Sequence, residues 1–252
     1  MMKNNDYFNQ AETHRLGLGD LKIYQHPEVF KFTVDPILLS AFIRVRAEDK
    51  VLDLGTGAGV IPLWLAGYRN VQHVVGLEIQ EQVAALAEEN VRFNGFEGQL
   101  EIIRGDLRTP PPELLSRKFD WVVSNPPYWP PNPKTLPALN PVLARAKFEL
   151  TCNLEQVVLT AARFCRGSGR VGFIHLAERL TDLLYLMRQQ QLEPKRLCVV
   201  YPKPGSAPRR VLVEGKKNSN PGLVIMAPFY IQQANGEFTP EMMEVYKGKP
   251  LF

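Results

Sequence analysis

Residues 51–59, VLDLGTGAG, lead from an apolar run into three glycines at alternating positions. The apolar run is typical of a buried strand, and the segment after the loop, VIPLWLAGY at 60–68, is typical of a helix. An open α/β sheet binds its ligands at such a strand-to-helix turn, because glycine lets the backbone approach a ligand closely. This stretch therefore decides the fold class: it predicts an α/β sheet with a ligand at the loop.

The segments that follow continue this alternation. Further strand-like segments are HVVGLEI (73–79), LEIIRGD (100–106), FDWVVSN (119–125) and GRVGFIHL (169–176). Helix-like segments are EQVAALAEENVRFNG (81–95), LEQVVLTAARFCRG (154–167) and ERLTDLLYLMRQQQ (178–191). Such alternation predicts a doubly wound, Rossmann-like, mostly parallel sheet with helices on both faces.

The last quarter of the chain has a different pattern. KRLCVVYP (195–202) and RRVLVEGKK (209–217) are strand-like runs around a turn rich in Pro and Gly, which predicts an antiparallel C-terminal edge. We expect seven main strands, a further strand within 222–231 and a short closing helix at 239–248.

Residues 1–34 are expected to form an N-terminal extension with short strands, and residues 35–252 a single domain. LKIYQ (21–25) and EVFKF (28–32) alternate apolar and polar residues, whereas residues 1–19 show little periodicity. Asp35 is expected to be the N-cap of a helix that has Pro36 at its first position.

Composition limits the class of partner. The formal net charge of +4 permits a nucleic-acid partner without requiring one. The three cysteines are odd in number and widely spaced, so neither a disulfide framework nor a metal site is expected. No secretory signal and no apolar run of about 18 residues occurs, which favours a cytoplasmic protein without membrane spans.

Three acidic residues predict which ligand the glycine loop binds. Asp53 would repel a pyrophosphate, and the glycine spacing differs from the G-x-G-x-x-G of dinucleotide-binding dehydrogenases, the main competing class. An amine or sulfonium suits Asp53 better, which favours S-adenosyl-L-methionine. Glu78 and Asp106 end the next two strands, where they can accept hydrogen bonds from the ribose hydroxyls and the adenine amine. Taken alone, the glycine run could be only a tight strand-to-helix turn, Glu78 the N-cap of the next helix and Asp106 a turn residue.

The stretch DWVVSNPPYWPPNP, residues 120–133, carries the predicted chemistry. Proline fixes the backbone, so Asn125 and the carbonyl of Pro126 would be rigid acceptors for an N–H group of a planar amine. Tyr128 offers a face on which a planar base can stack. Methylation of such an amine needs no general base, and His73 and His175 are expected to be packed or hydrogen-bonded rather than catalytic.

These motifs carry a resemblance to a known family. VLDLGTGAGVIPL, VGLEIQ, GDL and SNPPY resemble class I adenosylmethionine-dependent methyltransferases that modify exocyclic amines. With FKFTVDPILLSAF (30–42) and residues 192–217 included, nearly the whole chain from about residue 20 resembles the bacterial tRNA (adenine-N6)-methyltransferases that act on adenine 37 of valine tRNA. The resemblance implies methylation of a flipped adenine in tRNA.

The resemblance also implies the site residues. The predicted catalytic residues are Asn125, Pro126, Pro127 and Tyr128. The predicted cofactor-binding residues are Asp53, Gly55, Thr56, Gly57, Gly59, Glu78, Ile79, Asp106, Leu107 and Asn125. Asp35 is expected near the methionine end of the cofactor, its role as a helix cap being the alternative.

Two other functions stay open at this stage. Glutamine methyltransferases that act on peptide release factors share the Asn-Pro-Pro-Tyr sequence, but usually have a longer helical segment before the glycine loop. A non-catalytic module that binds the cofactor or RNA is the second alternative, although it would not need Asn125.

Cations near the predicted site could contact RNA phosphates. The predicted RNA-contacting residues are Trp129, Lys134, Arg145, Lys203, Arg209 and Arg210, and Lys147, Lys216 and Lys217 are further candidates.

Overall fold

A computed structural model describes residues 12–17, 19–25, 33–128 and 152–252. Its main sheet has seven strands of five residues or more: β3 (Lys50–Leu54), β4 (His73–Glu78), β5 (Leu100–Arg104), β6 (Phe119–Ser124), β7 (Cys165–Leu176), β8 (Leu192–Tyr201) and β9 (Arg210–Lys217). They lie in the order β8-β9-β7-β6-β3-β4-β5. β9 runs antiparallel to β7 and β8, and the other neighbours in this part of the sheet are parallel. The doubly wound sheet and its antiparallel C-terminal strands are confirmed.

Two very short strands extend the sheet beyond β8. They are β10 (Val224–Ile225) and β11 (Phe229–Tyr230), and both pair in parallel with β8. The described residues therefore form nine strands in this sheet. The strand expected within 222–231 is split into these two, because residues 226–228 lie between them without strand pairing.

Helices cover both faces of the sheet. They are α1 (Asp35–Phe42), α2 (Val60–Arg69), α3 (Glu81–Phe93), α4 (Pro112–Leu115), α5 (Leu154–Phe164), α6 (Leu180–Gln189) and α7 (Pro240–Tyr246). Two apolar clusters result: one contains Phe42 and Trp64 of α1 and α2, and the other contains Phe164 of α5 and Phe173 of β7. Burial of such side chains stabilises a fold by about 2 kcal/mol each. The closing helix near residue 240 is confirmed, whereas α5 ends three residues earlier than expected because Cys165 already belongs to β7.

The N-terminal hairpin contributes to the hydrophobic core. β1 (Glu12–Arg15) pairs antiparallel with β2 (Lys22–Gln25), and Leu16 and Ile23 are fully buried in the cluster that contains Trp64. The strand expected within 21–25 is confirmed, β1 was not expected, and the strand expected at 28–32 lies outside the described residues. The division of the chain at residue 34 stays a prediction.

One buried amide joins this N-terminal hairpin to the glycine loop. Asn90 of α3 is fully buried, and its Oδ1 accepts a 2.6 Å hydrogen bond from Tyr24 N in β2. Its Nδ2 donates to Ala58 O at 3.0 Å, between two glycines of the loop. The position of the hairpin is therefore tied to the position of the loop.

Candidate active site

The parallel strands bring the predicted acids to one edge of the sheet. β3, β4, β5 and β6 pair in parallel, so the residues at their carboxyl ends share that edge. Asp53 and Glu78 lie within β3 and β4, and Asp106 follows β5. Gly57 N donates a 3.0 Å hydrogen bond to Glu78 Oε2, which links the glycine loop directly to the end of β4.

The glycine loop presents its backbone to open space. Gly55 and Gly57 have φ of +75° and +58°, and a Cβ added at either position would meet nothing within 4 Å. The same loop is anchored on its other side, because Gly55 N and Thr56 N donate to Leu77 O at 2.9 and 3.0 Å. A ligand could therefore approach the loop closely without displacing side chains of the described residues.

Thr56 and Gly59 have structural contacts that the sequence did not predict. The Thr56 side chain is buried against Gly76 of β4, where an added Cβ would come within 2.8 Å of it. Gly59, with φ of +84°, is the N-cap of α2. Their expected part in cofactor binding stays a prediction.

Asp53 is a buried carboxylate without a hydrogen-bond partner. It is fully buried, and neither of its oxygens has a partner among the described residues. Burial is the main reason that the pKa of Asp53 is raised to about 7; the charge of Glu78 contributes to this rise, and the nearby Thr56 hydroxyl opposes it. An unpaired buried carboxylate is costly, so this group suits a ligand that brings a positive charge.

Glu78 is held by backbone groups. Its oxygens accept 3.0 Å hydrogen bonds from Gly57 N and Gln80 N. Burial raises the pKa of Glu78, and the N–H groups of Gln80, Gly57 and Ile79 offset part of that rise. Because each carboxylate oxygen can accept a second bond, Glu78 is fixed in orientation and can still receive two ribose hydroxyls.

The third acid, Asp106, is engaged by its own neighbour. Arg108 Nη2 lies 2.6 Å from Asp106 Oδ2, and Arg108 N and Nε donate to Oδ1 at 2.9 and 3.1 Å. These bonds lower the pKa of Asp106. Leu107 O accepts a 3.0 Å bond from Thr160 Oγ1, which attaches this turn to α5. Asp106 would have to share its oxygens between Arg108 and an adenine amine.

The segment after β6 lies beside the glycine loop. Ser124 Oγ, fully buried, donates a 2.7 Å hydrogen bond to Leu54 O, the last residue of β3. Asn125 comes directly after Ser124, and its Oδ1 accepts a hydrogen bond from the Tyr128 hydroxyl. The two prolines between Asn125 and Tyr128 differ in burial: Pro126 is buried and Pro127 is half-buried. The acceptor predicted to hold an amine therefore stands next to the loop predicted to hold the methyl donor.

Tyr128 is surrounded by three residues whose contacts the sequence did not reveal. Its hydroxyl lies 3.1 Å from Asp35 Oδ2, and Arg210 Nε donates to the same oxygen at 2.9 Å. The Arg210 guanidinium lies over the Tyr128 ring at 4.6 Å, and His175 meets the ring edge-on at 5.4 Å between centroids. Burial and the charge of Asp35 raise the pKa of Tyr128 well above its ordinary value. The hydroxyl is therefore a donor at neutral pH.

Asp35 was expected to cap α1, and that expectation is wrong. The helix includes Asp35, and its N-cap is Val34. The N–H of Asp35 donates a 3.3 Å hydrogen bond to Thr33 Oγ1. The carboxylate instead points to Tyr128 and Arg210, because a buried charge gains more from an ion pair and a hydroxyl than from a backbone cap.

The two histidines lie in different environments. His73 is exposed at the start of β4, so of the two expected environments it is not the packed one. His175 is packed and fully buried, but neither ring nitrogen has a hydrogen-bond partner among the described residues. Burial lowers the pKa of His175 to about 4, so the imidazole is neutral at pH 7.

The predicted RNA-contacting cations are divided by the fold. Lys203 and Arg209 are exposed in the loop between β8 and β9, at the carboxyl edge of β7 and β8. The Arg210 side chain is only 21% exposed because of its ion pair with Asp35. Trp129, Lys134, Arg145 and Lys147 lie outside the described residues.

Lys216 and Lys217 lie away from the site. β9 is antiparallel to its neighbours, so these residues at its end are at the opposite edge of the sheet, paired with Glu193 and Leu192. Lys217 Nζ donates to Cys165 O at 3.1 Å and also to Ala162 O near the end of α5. They are therefore separated by the sheet from Lys203 and Arg209, and their part in RNA binding stays a prediction.

The fold, the glycine loop and the buried acids together define a class I methyltransferase. The model of the methyltransferase small domain family matches residues 20–164. The chain is 31% identical over 204 residues to the tRNA1(Val) (adenine(37)-N6)-methyltransferase of Tolumonas auensis, covering 79% of this chain and 82% of that one. It is 29% identical to the enzyme of the same name from Porphyromonas gingivalis, covering 84% and 85% of the two chains. The chain therefore belongs to the family of tRNA1(Val) (adenine(37)-N6)-methyltransferases.

Solved structures agree on the fold. A predicted O-methyltransferase from Agrobacterium tumefaciens superposes with a TM-score of 0.70 at 19% identity, over 86% of this chain and 98% of that one. The tRNA m1G37 methyltransferase of M. jannaschii gives a TM-score of 0.59 at 14% identity, over 84% and 58%. Membership of this family supports S-adenosyl-L-methionine as the cofactor.

The described residues also bear on membrane and metal binding. No helix there has the length and apolar character needed to cross a membrane. No group of three or more His, Cys, Asp and Glu side chains in the same residues could hold a metal ion.

Proposed function

We propose that this protein transfers a methyl group from S-adenosyl-L-methionine to N6 of an adenine in tRNA, with adenine 37 of valine tRNA as the target. The observation that carries the proposal is the position of Asn125. This residue comes directly after β6, and its neighbour Ser124 is hydrogen-bonded to Leu54 at the end of β3. An acceptor for the amine and a loop for the methyl donor are thereby fixed to each other. The names of the relatives supply the particular base and tRNA.

The residues present fit the cofactor. The open backbone at Gly55 and Gly57 can lie against its methionine portion, and the unpaired Asp53 carboxylate can receive its positive charge. Glu78 would accept from the ribose hydroxyls, and Asp106 from the adenine amine. Ile79 and Leu107 follow these acids directly and would flank the adenine. When bound, the cofactor supplies an electrophilic methyl group.

Asn125 would prepare the substrate amine for attack. The amine lone pair of adenine is delocalised into the ring, so the nitrogen is a poor nucleophile. Asn125 Oδ1 and the Pro126 carbonyl can accept its two N–H groups, which favours a tetrahedral nitrogen with the lone pair directed at the methyl group. Tyr128 would stack on the flipped base, and Pro127 would keep the segment rigid. The methylated nitrogen is acidic and can lose its proton to water.

The rest of the tRNA would lie along the carboxyl edge of the sheet. Lys203 and Arg209 are exposed there and can contact phosphates. Trp129, Lys134 and Arg145 stay candidates from the sequence. Arg210 is set apart from this group, because its guanidinium is already paired with Asp35 and stacked on Tyr128.

The function is tested with unmodified valine tRNA, adenosylmethionine and nucleoside mass spectrometry. We expect N6-methyladenosine with the wild-type protein and none with a tRNA in which adenine 37 is replaced by guanine. Asn125→Ala should lose the product while still binding S-adenosylhomocysteine in calorimetry. Cofactor binding without any methylated nucleoside would reject tRNA as the substrate, and a release-factor glutamine would be tested next.

A further inference from the structure

The Tyr128 hydroxyl has two acceptors and one proton. Asn125 Oδ1 is one acceptor, and Asp35 Oδ2, at 3.1 Å, is the other. These residues are 3 and 93 positions from Tyr128 in the chain, so the fold, not local sequence, creates the choice between them. A hydroxyl donates one hydrogen bond at a time, and the two acceptors therefore compete for it.

This competition involves the atom that the proposed chemistry needs. The inference rests on the proposed function, in which Asn125 Oδ1 accepts a bond from the substrate amine. In the structure that oxygen is occupied by the Tyr128 hydroxyl. The hydroxyl must release Asn125 when the amine arrives, and an unpaired hydroxyl in a buried place would cost about 1 to 3 kcal/mol.

Asp35 is placed to accept the released hydroxyl, and Arg210 contacts both Asp35 and Tyr128. Asp35 of α1 is only 4% exposed, and this burial restricts the movement of its carboxylate. Arg210 Nε bonds the same Asp35 oxygen at 2.9 Å, and the guanidinium covers the Tyr128 ring at 4.6 Å. One arginine therefore neutralises the acceptor and holds the ring that carries the donor. His175 closes the edge of the same ring without donating or accepting a hydrogen bond among the described residues.

We propose that Asp35 and Arg210 are a positioning pair. Asp35 accepts the hydrogen bond of the Tyr128 hydroxyl when the substrate amine occupies Asn125, and Arg210 holds Asp35 and Tyr128 in position. Neither residue touches the reacting atoms. Their effect is to free the Asn125 oxygen without leaving the Tyr128 hydroxyl unpaired.

The contact itself is tested without substrate or cofactor. The protein has eight tyrosines, so [13Cζ]tyrosine labelling gives a resolvable NMR spectrum, in which Tyr128→Phe assigns one resonance. We expect Asp35→Asn and Arg210→Ala to move that resonance. Arg166→Ala, which removes a more exposed arginine–aspartate pair at the start of β7, should leave it in place. A Tyr128 resonance that does not respond to Asp35→Asn would overturn the proposal.

Kinetics then separate positioning from a merely structural role. Asp35→Asn should lower kcat about tenfold or more, as expected for the loss of a hydrogen bond to a charged group, with the Kd for S-adenosylhomocysteine nearly unchanged. The Tm should fall as well, because the ion pair with Arg210 is lost, so activities are compared well below the Tm of the variant. In the Tyr128→Phe background, Asp35→Asn should cost nothing further, because no hydroxyl is left to receive. Equal losses in both backgrounds would overturn the proposal. If Arg210→Ala does not fold, Arg210→Lys keeps the charge but loses the planar stacking.

The outcomes distinguish this inference from the proposed function. Wild-type protein that forms no N6-methyladenosine would reject the proposed function, and the NMR response of Tyr128 would still decide whether Asp35 and Arg210 hold it. An active wild type whose kcat is unaffected by Asp35→Asn would reject the inference alone.

Discussion

Ser124 Oγ donates a 2.7 Å hydrogen bond to Leu54 O, and so joins the end of β6 to the end of β3 where the two functional loops begin. The contact crosses 70 residues of chain and is fully buried. It fixes the distance between the segment that would bind the methyl donor and the segment that would bind the base. Catalysis by positioning depends on such distances, since a shift of about 1 Å between reacting groups can cost about a hundredfold in rate.

Ser124→Ala should therefore affect both stability and function. Removal of the hydroxyl leaves Leu54 O with one bond fewer and should lower the free energy of unfolding by about 1 kcal/mol. Ser40→Ala is a matched control, because Ser40 is also fully buried and its hydroxyl donates to Pro36 O at 2.8 Å within α1. Urea denaturation should give similar losses for both variants, whereas only Ser124→Ala should reduce kcat. Equal activities would contradict the positioning role of Ser124.

Gly57→Ala should weaken cofactor binding more than it weakens the fold. The position has φ of +58° and faces open space, so an added methyl group costs about 1 kcal/mol in backbone strain and also blocks the approach of a ligand. Gly95, with φ of +71° and equally open space, lies after α3 and away from the loop. Gly95→Ala should lower the unfolding free energy by a similar amount and leave the Kd for S-adenosylhomocysteine unchanged. A similar Kd for both variants would argue against ligand binding at the loop.

Cofactor affinity should rise with pH because of Asp53. Burial raises its pKa to about 7, so the carboxyl is largely protonated below that pH, and a cationic ligand favours the ionised form. The Kd for adenosylmethionine should fall by up to about tenfold per pH unit below 7 and level off above it. Asp53→Asn removes this dependence and leaves only the titration of the ligand itself. Calorimetry from pH 5.5 to 8.5 measures both proteins, and identical pH profiles would contradict the assignment.

The same raised pKa acts on the stability of the ligand-free protein. The folded state binds the proton of Asp53 more tightly than the unfolded state does. The stabilising contribution is therefore full below the ordinary pKa of 3.8 and is lost as the pH rises through about 7.

His175 should make the protein sensitive to acid. Burial lowers its folded-state pKa from 6.5 to about 4, so the unfolded chain binds the proton first as the pH falls. Its contribution is full above pH 6.5 and is lost between 6.5 and 4, by about 3 kcal/mol in total. His175→Phe should flatten that part of the curve of unfolding free energy against pH. His73→Gln, at an exposed position, serves as the control, and a flattened curve for that variant instead would contradict the prediction.

Arg209→Ala should weaken tRNA binding and reduce its dependence on salt. Each phosphate that the protein no longer neutralises reduces the slope of log K against log salt by about 0.7 to 0.9. Lys216→Ala removes a charge at the opposite edge of the sheet and should change neither quantity beyond a small general effect. Binding titrations at several salt concentrations test both variants, with cofactor affinity as a check on folding. An effect of Lys216→Ala that equals that of Arg209→Ala would place the RNA elsewhere.

Local sequence patterns predicted the sheet, the glycine loop and the late antiparallel pair, because each depends on periodicity or on glycine and proline at fixed positions. They missed β1, whose residues ETHR have no apolar alternation and are ordered through pairing with β2. The role of Asp35 was also missed, since an aspartate before a proline is typical of a helix cap. Its partners Tyr128 and Arg210 are 93 and 175 residues away, a distance that no local pattern reports.

The buried amide of Asn90 limits how far the N-terminus can be shortened. Removal of the first 25 residues would take away the bonds that Asn90 makes to Tyr24 and leave a buried amide half-unsatisfied directly behind Ala58. Trimming the N-terminus would therefore loosen the glycine loop from behind, through Asn90. Within the described residues, the exposed loop at 202–209 has no such attachment to the glycine loop and is the better place for a small fluorescent label that reports on RNA, provided that Lys203 and Arg209 are kept.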